Sequence, residues 1–101
     1  MADMPEIGRQ AAHILLDAVI AFESGRDQED NVVAMNLALQ RLDDVGAVDV
    51  LTSPSGDITL EVSNLAGGAV VALNWLIEQL AFREVTDREV VIARLREFLD
   101  Q

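Results

Sequence analysis

The sequence predicts an α+β fold, mainly helical, with the order ααββαα: two helices, a single-layer β-hairpin packed on helices, then two more helices. Three observations predict it. Apolar residues recur at spacings of three and four along four stretches, and in one central stretch the period switches to alternation. No repeat, low-complexity tract or linker interrupts the 101 residues, so residues 1–101 are expected to form a single domain. The chain is 50% hydrophobic but only 4% aromatic, so its core must be built from Ala, Val, Leu and Ile.

The first helix is expected to start at Asp3, a capping carboxylate, with Pro5 tolerated in the first turn and Glu6 placed as in a capping box. It should end near Ser24, where Gly25 supplies a left-handed stop. Ile7, Ala11, Ile14, Leu15, Ala18 and Phe22 form its buried face. Opposite them runs a narrow polar strip that includes His13 and Asp17, flanked by Leu16 and Ile20.

Asp27 is the expected cap of the second helix, with Glu29 and Asp30 complementing the positive end of its dipole. Val32, Met35, Ala38, Leu39, Leu42 and Val45 make the inner stripe, and Gly46 follows as the stop. Val33 and Leu37 fall on the outer side.

In "AVDVLTSPSGDITLEV" Val48 and Val50 alternate on one arm, and Ile58, Leu60 and Val62 on the other. "SPSGD" supplies the Pro and Gly of a reversal between them, which makes a hairpin. An isolated hairpin is marginal in water, so its apolar face should lie on the helices or pair with another sheet.

The third helix occupies most of "SNLAGGAVVALNWLIEQLAF" and carries two apolar stripes. Leu65, Ala66, Ala69, Val70, Leu73, Leu76, Ile77 and Leu80 cover a broad face, the expected core stripe, while Val71, Trp75 and Phe82 run down the other side. Gly67 and Gly68 fit either a loop leaving the hairpin or a helix start that lets another backbone come close, since each glycine inside a helix costs about 1 kcal/mol relative to alanine. A membrane span would have to contain Asn74, Glu78 and Gln79, which disfavours that reading. The fourth helix opens on "TDRE", where Thr86 as cap and Glu89 three residues on form a capping box, and Val91, Ile92, Leu95, Phe98 and Leu99 make its apolar face.

Most chemistry is disfavoured. The formal charge is −11, with 18 acidic and 7 basic side chains, so neither nucleic acid nor an anionic membrane is an expected partner. A basic or neutral protein is easier to accommodate. Without cysteine there is no thiolate nucleophile or thiolate metal site. His13, the lone histidine, has Asp17 one turn away, the arrangement of an ordinary surface pair rather than a catalytic dyad. The carboxylates of "DQED" and "LDD" lack the order of a calcium loop. No catalytic residue, metal or cofactor is therefore expected. The start carries no export signal, which makes the cytoplasm the default location, and the Ala, Val, Arg and Asp bias with no lysine is of the kind GC-rich bacterial genomes produce.

What remains is a surplus of apolar surface. Val71, Trp75, Phe82, Leu16, Ile20, Val33 and Leu37 lie off the core stripes, more than so short a chain is expected to bury. The expected function is a non-catalytic protein-interaction or regulatory module acting as a homodimer. The alternative is a small-ligand-binding protein or minor enzyme with a pocket between the third helix and the hairpin, using Asn74, Glu78 or His13.

Overall fold

The computed structural model describes residues 5–22 and 27–101. Four helices and a hairpin follow the expected order: α1 (Glu6–Ala21), α2 (Gln28–Asp44), β1 (Asp49–Thr52), β2 (Ile58–Glu61), α3 (Ser63–Glu84) and α4 (Arg88–Leu99). The fold is thus α+β and mainly helical. Asp3, Ser24 and Gly25, named above for the ends of the first helix, lie outside the described residues. The chain divides into two compact units, Met1–Ala69 and Val70–Gln101, with the boundary inside α3.

In the first unit α1 packs on α2 around a small aliphatic core of Ala11, Ile14, Ala38, Leu42 and Ala47, joined at its margin by Ile7, Ala18, Val45, Val48 and Leu65. The inner stripes of both helices meet as their periodicity requires. Phe22, Val32, Met35 and Leu39 were expected there too and are exposed. Two helices share only a narrow line of contact, and side chains one turn to either side of it stay in water. Arg41 of α2 donates to Asp17 of α1 at 3.0 Å, and so replaces His13 as the partner expected for Asp17.

Helix ends follow local chemistry. Asp27 caps α2, its carboxylate accepting from the Glu29 amide at 3.1 Å. At the other end Gly46 adopts φ +82°, Gly46 N–H donates to Asp43 O at 3.0 Å and Ala47 N–H to Leu42 O at 2.9 Å, the paired bonds of a Schellman turn. The strands pair antiparallel with Val50 opposite Leu60 and Thr52 opposite Ile58, so the alternation read from the sequence puts these side chains on one face. Gly56 (φ +91°) makes the reversal, closed by Ser53 N–H to Asp57 O at 2.8 Å. All eight strand residues are exposed, and Val48, just before β1, is the side chain that ties this segment to the helical core.

Both glycines of "AGG" lie inside α3. Gly68 is buried, and a Cβ on it would collide with the backbone carbonyl oxygen of Gly8 in α1 and come within 3.4 Å of Ala12 N. Close backbone approach, one of the two readings of this pair, is therefore the correct one at Gly68. Gly67 faces open space. Glu61 closes the start of α3 by accepting from the Ser63 amide at 2.8 Å, and hydrogen bonding from Ser63, side chain first and backbone second, holds its carboxyl below the usual range.

The second unit is a helical hairpin. α3 ends in a Schellman turn like that of α2, with Val85 N–H to Phe82 O at 3.3 Å and Thr86 N–H to Ala81 O at 3.0 Å. The left-handed position is held by Val85, at φ +51°, where α2 uses glycine. This corrects the expected start of α4. Thr86 is committed to closing α3, so the N-cap of α4 is Asp87, one residue later, and it makes no side-chain capping bond. Arg88 donates to Asn74 Oδ1 at 2.9 Å, and Arg94 pairs with Glu84.

Candidate interaction surface

The α3–α4 hairpin has almost no interior. Of its side chains only Ala81 and Val91 are buried. Val70, Leu73, Leu76 and Leu80, expected from the sequence to lie in the core, are exposed. Ala81 is covered, but α3 and α4 touch each other little, so the leucines beside it stay in water. With Ile77, and with Val91 and Leu95 of α4, they line an open groove.

Among the described residues Arg94 is the only titratable side chain lining this groove, and it is paired with Glu84. The other lining side chains are aliphatic. The groove can receive apolar side chains, with a cation at its margin.

The seven residues singled out from the sequence separate into two sets. On α3, Trp75 and Phe82 are exposed, at 61% and 82%, and Val71 is half-buried. They occupy the side of α3 away from the groove leucines. Leu16 and Ile20 on α1 and Val33 and Leu37 on α2 are exposed as well, each pair one turn apart on its own helix in the first unit. Sequence reasoning missed the groove, because it assigned Leu73, Leu76 and Leu80 to a core. One signal was available: the stretch after Ala69 holds only two amphipathic helices, too few to enclose a stripe that broad.

Charge is distributed unevenly. Met1–Ala69 holds twelve acidic and three basic residues, a formal −9, whereas Val70–Gln101 holds six and four, a formal −2. Nearly all of the net charge is carried by the first unit.

His13 lies elsewhere, at a concavity of the first unit lined also by Gln10, Ile14, Arg41, Asp44 and Val45. Asn74, in the second unit, is engaged by Arg88. Among the described residues no three His, Asp or Glu side chains come together as a metal site would require. By length and composition α3 is apolar enough to cross a membrane.

No family model, no curated protein and no solved structure matches this chain.

Proposed function

We propose that this chain is a non-catalytic protein-interaction or regulatory module that acts in the cytoplasm as a homodimer. The observation that carries the reading is the exposure of the lone tryptophan: Trp75 is 61% accessible, not enclosed by its own chain. A monomer that folded around α3 would have hidden it. Burying large apolar side chains is worth roughly 1.5–3 kcal/mol each, so Val71, Trp75 and Phe82 together supply about 5 kcal/mol. Association costs an estimated 4–15 kcal/mol in lost freedom of motion, so this stripe by itself does not hold a dimer. Further apolar side chains, from Leu73 on α3 to Phe98 on α4, are exposed and available. The formal −9 of the first unit also suits a basic or neutral protein as a second partner.

Light scattering coupled to size exclusion tests the reading across a wide concentration range. The expected mass is twice the 11.0 kDa of the chain. A single-chain mass at the highest concentration would refute it. The competing role is a small-ligand-binding protein or minor enzyme with its pocket between the third helix and the hairpin; the concavity that holds His13 is a different one, lined from α1 and α2. That role predicts a saturable thermal stabilisation by one member of a metabolite panel, which the dimer reading does not.

A further inference from the structure

We propose that the groove between α3 and α4 is the homodimer seam, and that its occupant is the same groove of a second copy, giving a four-helix bundle related by a twofold axis. This rests on the dimer reading above and adds where the dimer forms. Three observations place the seam here rather than on the other apolar surfaces.

The first is size. Val70–Gln101 is a two-helix unit in which only Ala81 and Val91 are buried. So short a segment buries little apolar surface of its own, and two such hairpins facing each other complete the core that each lacks.

The second is charge. Bringing two copies together through the first unit would oppose −9 with −9, whereas the hairpins carry only −2 each. That difference counts against Leu16, Ile20, Val33 and Leu37 as the self-association surface.

The third is shape. Leu73, Leu76, Leu80 and Leu95 line one concavity contributed by two helices, whereas Trp75 and Phe82 stand on one helix, flanked by Glu78 and Gln79. A standard interface takes roughly 800 Å² from each partner. An exposed aliphatic or aromatic side chain supplies on the order of 100 Å². The two-helix strip, with Val70 and Phe98 exposed on the same unit, is the surface that approaches this area. A twofold axis needs a self-complementary patch, and leucine against leucine is one.

The test compares Leu76→Asp with Trp75→Asp and Ile20→Asp by light scattering, with circular dichroism as the check of folding. Leu76→Asp is expected to halve the particle mass while the other two keep the mass of the wild type. If Leu76→Asp remains dimeric, or if Trp75→Asp or Ile20→Asp alone halves the mass, the seam is elsewhere and this inference fails while the dimer reading stands. A wild type of single-chain mass removes both. Should Leu76→Asp unfold, Leu76→Cys and Ile20→Cys replace it, because the parent chain has no thiol. A short bismaleimide is expected to link two chains through Cys at 76 and not at 20, and the reverse pattern overturns the proposal. Flotation with phosphatidylcholine vesicles is the last arm: wild type that floats, and loses this with Leu76→Asp, would make lipid the occupant instead.

Discussion

Adding one methyl group at each of two adjacent glycines should have opposite effects. Alanine is favoured over glycine inside a helix by about 1 kcal/mol, so Gly67→Ala, whose new Cβ meets nothing within 4 Å, should stabilise the chain by about that amount. At Gly68 the same methyl group would overlap the carbonyl oxygen of Gly8 and lie 3.3 Å from its carbonyl carbon. These atoms belong to the backbone of α1 and cannot rotate aside. Forcing such overpacking costs typically 1–3 kcal/mol, which offsets or exceeds the propensity gain, so Gly68→Ala should be neutral to destabilising by about 2 kcal/mol. The separation between the two variants, about 1–3 kcal/mol, isolates the close approach of α1 and α3 from the propensity they share. Thermal and urea unfolding followed at 222 nm would measure it, since 1 kcal/mol moves the midpoint of a domain this size by about 4–8 °C. Equal stabilisation by both alanines would show that α1 and α3 do not meet at Gly8.

Other substitutions test the turns, the cap and the ion pair. Val85 holds a left-handed φ of +51° with its side chain exposed, so Val85→Gly should raise stability by about 1 kcal/mol in urea titration, while Gly46→Ala, at φ +82°, should lower it by a similar amount. A lower midpoint for Val85→Gly would mean that its side chain, not its backbone, decides that turn. Glu61 has a depressed folded pKa because Ser63, through its side chain first and its amide second, hydrogen-bonds the carboxylate. Its contribution is therefore complete above the unfolded value of about 4.3 and is lost as pH falls through the folded one. Glu61→Gln should be less stable than wild type near neutrality and converge on it over the acid window, because the amide lacks the charge that wild type loses there. Parallel pH profiles would contradict the cap, since Glu6, which Arg9 shifts in the same direction, is common to both chains. Asp17→Asn removes the charge from the Arg41 pair, whose side chains are both about half exposed, so the loss should stay under about 1 kcal/mol and shrink in molar salt. A loss of several kcal/mol would make that pair a structural anchor of α1 on α2.

Some of this molecule is legible from residue order alone because the relevant forces act over a few residues. The Asp27 cap, the Gly46 stop and the alternation of Val50, Ile58 and Leu60 need only backbone hydrogen bonding and helical or strand period, and each appears as read. The start of α4 shows where local reading stops. "TDRE" is a good capping box, but Thr86 N–H is claimed by Ala81 O in the turn that ends α3, and the cap moves to Asp87. Of the candidate interface, the exposure of Trp75, Phe82 and Ile20 follows from their position off the main stripes. The groove does not, because a stripe of leucines reads the same whether a neighbouring helix covers it or not.

Residue order therefore specified which segments become helix or strand, where most of them stop, and that the chain holds much aliphatic surface with a large negative charge. Packing specified which apolar faces are covered: Gly68 sits against Gly8, while Leu73, Leu76 and Leu80 are left open. The physical reason is that periodicity records the presence of an apolar face on a helix, whereas burial depends on how many other elements can reach that face.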